Sequence, residues 1–114
     1  MDSDPDHDDT WRSIVARLVT LAGVSEAPSQ WADRAALWVD GREIAHLGSD
    51  GWLDVRLSRK LIAQHRAALR SDPAVELRRS GGDWARFRVE TDEALAEAVR
   101  FCGLAVEANR RPRR

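Results

Sequence analysis

Three features of this 114-residue sequence predict an α+β domain. Asp40-Gly41 stands between two short apolar runs, and a two-residue hairpin turn needs positive φ at both positions, which Asp-Gly supplies at little cost. Gly48-Ser49-Asp50-Gly51 supplies a second turn, so residues 35–57 read as three consecutive antiparallel strands. Apolar residues recur at helical spacing before this block, after it and again near the C-terminus. Strands and helices grouped in this way predict one domain with an antiparallel sheet of about five strands and three helices, in the order α-βββ-α-ββ-α.

Residues 1–9 read as a disordered acidic tail, with low hydrophobicity and one sign of charge. The spacing of Asp2, Asp4 and Asp6 suggests calcium, but the glycine and distal glutamate of an EF-hand loop are missing. Thr10 is the expected N-cap of the first helix. Trp11, Ile14, Val15, Leu18, Val19 and Ala22 then form an apolar stripe that Gly23 ends. Val24 to Arg34 contains Ser25, Pro28, Ser29 and Gln30 and reads as a connection, tacked to the body by Trp31.

Strict alternation through the three strands places Leu37, Val39, Ile44, Leu53, Val55 and Leu57 on one face, together with His46. Trp38, Glu43, Ala45, Leu47, Trp52, Asp54 and Arg56 fall on the other. Ser58 caps a second helix reaching about Arg70, whose inner stripe is Leu61, Ile62, His65, Ala68 and Leu69. Asp72-Pro73 ends it. Ala74–Arg79 and Trp84–Val89 read as a hairpin around Ser80-Gly81-Gly82-Asp83, with Val75, Leu77, Phe87 and Val89 inward and Glu76, Arg78, Trp84, Arg86 and Arg88 outward. Thr91 caps the last helix, Asp92 and Glu93 favour its positive end, and Leu95, Val99, Cys102 and Val106 share one face as far as about Asn109. The domain thus runs from residue 10 to 109, followed by a basic tail over 110–114.

Composition narrows the function classes. The net charge of −1 combines the acidic N-terminal tail with the arginines of the RRPRR tail; between them acids and bases balance. Such a body lacks the basic excess that duplex nucleic acid demands. One cysteine excludes an intramolecular disulfide, no apolar run approaches the length of a membrane span, and the first residues are acidic where a signal peptide is basic. The expectation is a cytoplasmic protein without membrane contact. No G-x-G-x-x-G follows a strand and no phosphate-binding loop of the Walker type is present, so no cofactor is predicted.

Gly41, Arg42, Glu43, His46, Gly51 and Asp54, within GREIAHLGSDGWLD, match the signature of small bacterial luciferase-domain proteins. The chain resembles this family over roughly residues 31–108. Gly48 stands where the family pattern carries a second histidine, a departure that weakens any two-histidine metal or acid–base pair carried over from the family. It implies a small α+β domain of largely undefined role, and neither light emission nor a flavin site. The element order is also similar, in coarse topology, to the YjbR and TfoX-like domains.

Two constellations carry the functional expectation. Trp38, Trp52 and Trp84 share the outer face with Arg56, Arg86 and Arg88, a set of flat rings and guanidinium groups suited to an anionic or aromatic ligand or a protein partner, and less to single-stranded nucleic acid. Cross-strand packing, or burial beneath the first helix, is the plainer use of the same residues. His46 with turn-borne Asp50 is the candidate acid–base pair, and His65 its other candidate neighbour; a structural histidine is the plainer alternative. No nucleophile motif accompanies them. The sequence therefore points to a binding module for a small molecule or protein partner, with a small enzyme using His46 and Asp50 or His65 as the rival. Five tryptophans leave room for a homodimer interface.

Overall fold

The computed structural model describes residues 5–48, 50–77 and 82–110. Its elements run α1 (Pro5–Leu18), β1 (Val24–Pro28), β2 (Ala35–Val39), β3 (Arg42–Leu47), β4 (Trp52–Arg56), α2 (Arg59–Gln64), α3 (Arg66–Ser71), β5 (Val75–Leu77), β6 (Trp84–Arg88) and α4 (Asp92–Asn109). The strands form one antiparallel sheet in the order β1-β2-β3-β4-β6-β5, confirming the α+β class.

One strand was hidden by its composition. β1 pairs with β2, Val24 opposite Val39 and Pro28 opposite Ala35. Its second inward position is Glu26, which accepts bonds from Trp11 Nε1 (2.8 Å) and from Arg12, so a carboxylate sits where alternation demands an apolar residue. Pro28 is tolerated because β1 is an edge. The first helix begins earlier than Thr10. Pro5, suited to an early helical position by its fixed φ and missing N–H, opens α1, which ends at Leu18 and leaves Val19 exposed.

The second helix is broken. Ser58 caps it as expected, Oγ accepting from Leu61 N (3.2 Å), but His65 leaves helical geometry at φ −109°, ψ 15°, and the chain restarts as α3. Ile62 and Leu69 are buried, while Ala68, expected inside, is exposed. In α4, Thr91 Oγ1 accepts from Ala94 N (3.0 Å), and the buried face is Ala98, Phe101, Cys102, Ala105, Val106 and Asn109. The expected stripe shares Cys102 and Val106 with it; Leu95 and Val99 flank it, partly buried.

The core lies between one sheet face and the helices. Leu37, Val39, Leu53, Val55, Leu57, Phe87 and Val89 meet Ile14, Leu18, Ile62, Leu69, Phe101 and Cys102 there. Asn109 ties the end of α4 to β4, its Nδ2 donating to Arg56 O at 2.8 Å. α1 packs against α4 on this side. Among the described residues, no helix covers the other face of the sheet.

The alternation fails at one place. Asp40 (φ 51°) and Gly41 (φ 80°) form the expected positive-φ turn. Beyond it, Trp38 pairs with Glu43 and Leu37 with Ala45, so Ile44 is an extra residue on β3. This bulge buries Ile44 and Ala45 consecutively and reverses every later side chain of the strand. Ala45 and Leu47 are therefore core residues rather than outward ones. His46 leaves the apolar face for the helix-free one.

Candidate functional site

The bulge sets the site. It turns Glu43 and His46, three residues apart, to the same side of β3, and register places His46 opposite Asp54, Asp54 opposite Arg86, and Arg86 opposite Glu76. The result is a row of alternating charge across four strands. His46 Nδ1 lies 2.8 Å from Glu43 Oε2 and Nε2 lies 3.1 Å from Asp54 Oδ2. Arg86 Nε donates to Asp54 Oδ1 at 3.0 Å and its Nη2 to Asp50 Oδ2 at 2.8 Å, while Glu76 stands 3.7 Å from Nη1.

Both nitrogens of His46 thus face carboxylates, and only an imidazolium can donate to both. The bond to Asp54 raises the imidazole pKa above its ordinary 6.5, outweighing desolvation together with Glu43. Burial works against ionisation of Asp50, but Arg86 and the Trp52 amide hold its carboxyl below the ordinary range.

Glu43 is fully buried, which a carboxylate tolerates only when paired and hydrogen-bonded. Besides His46 it accepts from Ser29 Oγ and from Gln30 N, each at 2.7 Å. These donors belong to the loop between β1 and β2. Ser29 N donates to Arg34 O (2.8 Å), closing residues 29–34 into a strap, and Ser29 Oγ also accepts from the backbone of Trp31 and Ala32. Arg34 Nη1 donates to Leu47 O at 2.9 Å, and Trp31 meets Trp84 edge to face at 5.3 Å. Between strap and sheet lies an open cleft of about 420 Å³, with Asp33 and Arg34 on one wall and His46, Asp50, Asp54 and Arg86 on the other.

Several expected partnerships are corrected. Asp50, expected beside His46, bonds Arg86 instead, and Asp54, expected to point away, is the true partner. His65 lies across the sheet, its ring against Phe101 at 5.4 Å in the helical layer, so no His46/His65 pair forms. Among the described residues no group of three His, Cys, Asp or Glu side chains is placed to hold a metal ion. Arg78 lies outside the described residues, as do Asp2 and Asp4 of the acidic spacing and most of the RRPRR tail.

The tryptophan and arginine set does share the helix-free face. The guanidinium groups of Arg86 and Arg88 lie 5.2 and 4.7 Å from the Trp52 ring centroid, and Arg56 pairs with Trp84 across β4 and β6. Trp84 reaches the His46 ring at 5.7 Å. Trp38 stands two strands away, its indole N–H directed at Ala27 O (3.4 Å). Trp31 tacks the connection to the body as expected, against Trp84; sequence reasoning missed Ser29 and Asp33 as site residues, and Glu43 as the anchor of the strap. The available signal was Ile44-Ala45, two adjacent apolar residues interrupting an alternating strand.

Gly48 lies close against the Asp50 carboxylate. A Cβ there would lie 2.7 Å from Asp50 Oδ1, so the Asp50 carboxylate occupies the space a side chain at 48 would enter.

No curated protein and no solved structure matches the chain. The family model described as the Luciferase domain matches residues 41–105, from the hairpin turn through most of α4, and so more than half of the sequence. No described helix is long and apolar enough to cross a membrane. The match contains the whole His46, Asp54 and Arg86 row, and the chain belongs to the Luciferase domain family.

Proposed function

We propose that the chain is a small non-catalytic binding module that takes a small polar ligand in the cleft between the strap and the helix-free sheet face. The observation that carries this reading is the saturation of His46. With both nitrogens given to carboxylates, the imidazolium has no lone pair with which to take a proton, and a general base needs one. Charges with spare capacity lie opposite it instead. Arg34 commits one nitrogen to Leu47 O, and Asp33 has no bonded partner among the described residues. At the rim Trp31 is 58% exposed and rests on Trp84, offering indole surface to a bound molecule. A ligand carrying a charged group and a flat apolar part suits this combination.

A screen of charged aromatic and aliphatic small molecules, followed through indole N–H resonances, tests the reading. Binders are expected to shift Trp31 and Trp84 while leaving buried Trp11 unmoved, and to lose at least tenfold in affinity in the Arg34→Ala protein, a margin of about 1.4 kcal/mol. A turnover abolished by His46→Gln with folding intact would replace this reading with the enzymatic one.

A further inference from the structure

The strap is fastened to the sheet by four contacts, and they differ in kind. Trp31 on Trp84 and Arg34 on Leu47 O do not depend on any proton between neutral and mildly alkaline pH. Ser29 Oγ and Gln30 N both end on the Glu43 carboxylate. That carboxylate has no exposed surface, and His46 is the one cation bonded to it among the described residues.

We propose that the proton on His46 latches the strap over the cleft: with the imidazolium in place the strap is held on Glu43, and loss of that proton lets it lift and opens the cleft. The inference rests on the binding reading for its use, but the latch is a property of the unliganded chain.

Loss of the His46 proton leaves charge uncompensated at one of two carboxylates. A neutral imidazole keeps one N–H, so one of the carboxylate oxygens at 2.8 and 3.1 Å then faces a lone pair. The two carboxylates are not equivalent. Asp54, from β4, retains Arg86, from β6, at 3.0 Å, and Arg86 is further balanced by Asp50 and by Glu76 of β5. Glu43 retains no cation. A buried charge without a partner is costly, and the relief is water. Trp38 and His46 around it are tied into the ladder, whereas the strap is not. Asp33 and Arg34 of the strap face the same cleft, the Trp84 ring is the remaining neighbour of His46, and no helix packs on this side.

The sign follows from the carboxylate: while the strap is down water is kept from Glu43 and the His46 proton is its counter-charge, so closing favours the imidazolium. The closed form holds its proton more tightly than an imidazole of ordinary pKa 6.5. The latch is therefore at full strength where His46 is protonated in both forms, weakens as pH rises past the pKa of the open form, and is gone once the raised pKa of the closed form is passed.

Hydrogen exchange and NMR on the full chain without ligand, from about pH 6 to about pH 9, test this. The protection factor of the Gln30 amide, which already removes the intrinsic pH dependence of exchange, is expected to be flat at the acid end. It should then fall by up to about tenfold per pH unit, the slope of one linked proton, and level off where the His46 ring signals titrate. The Trp31 indole shift should follow the same midpoint. His46→Gln should flatten the profile, and Ser29→Ala should lower protection at every pH while keeping the slope. Gln30 protection and a Trp31 shift that stay constant across the His46 titration would overturn the latch, as would an unchanged slope in His46→Gln. Should that variant not fold, the wild-type and Ser29→Ala profiles decide. A failed ligand screen would remove the binding reading and leave this result standing.

Discussion

At the scale of the residue, His46 and Glu43 form a pair whose members are unequal. His46→Ala leaves Glu43 buried with no cation, and breaking a buried pair from one side costs about 3–5 kcal/mol. Glu43→Gln removes the buried charge itself, while His46 keeps Asp54, so its cost is expected in the range of about 1–3 kcal/mol set by mismatched hydrogen bonds. Urea titration of both variants at neutral pH checks the order, and a cheaper His46→Ala would show that Glu43 finds another partner. The raised His46 pKa also fixes a pH dependence. Its stabilisation is complete below about 6.5 and is lost as pH rises through the raised folded value. The midpoint of urea unfolding should therefore decline on the alkaline side in the wild type and stay level in His46→Gln. None of this was legible when the sequence was read by alternation. A one-residue bulge exchanged the faces of Ala45, His46 and Leu47, and with them the identity of the partner carboxylate, Asp54 in place of Asp50.

At the scale of the element, the junction between β4 and α2 holds a conflict. Ser58 caps the helix from φ 105°, ψ 153°, a region that side chains other than glycine's enter at a cost of about 1–3 kcal/mol. The cost is borne because Ser58 N reaches Asp83 O at 3.0 Å while Oγ serves Leu61 N. Replacing a serine cap by glycine loses only a few tenths of a kcal/mol, whereas alanine loses about 1. Ser58→Gly should thus raise the melting temperature and Ser58→Ala lower it, as read by calorimetry; a fall in both would mean that the hydroxyl contributes more than the backbone gains. Helix caps at Ser58 and Thr91 and the turn at Asp40-Gly41 were legible because each depends on atoms within four residues. β1 was not, since Glu26 occupies an inward position that only Trp11 and Arg12 of α1 make habitable. The break at His65 was not either, because its ring turns to Phe101 on a distant helix.

At the scale of the molecule, all the helices described lie on one side of the sheet, and this division separates inert groups from available ones. Cys102 sits at zero exposure between sheet and α4, where burial pushes its thiol up to about 12. A thiol that is neither ionised nor accessible does not react, so modification by a disulfide reagent should proceed only at the rate of unfolding and accelerate with urea; prompt labelling of the native chain would contradict this burial. On the other side, Trp52, Trp84, Arg86 and Arg88 stay clear of the helices because α1 docks on α4 rather than on them. The α+β class, most of the inward residues and the composition of the outer face were legible in the chain alone, since two-residue and 3.6-residue periods and local caps are written in neighbouring positions. Long-range packing decided which face α1 covers, where the strand slips by one residue, and that the loop between β1 and β2 closes on Glu43. Those outcomes depend on pairing between residues far apart in the chain, where burial of one carboxylate and one imidazole is settled jointly by groups that no local pattern connects.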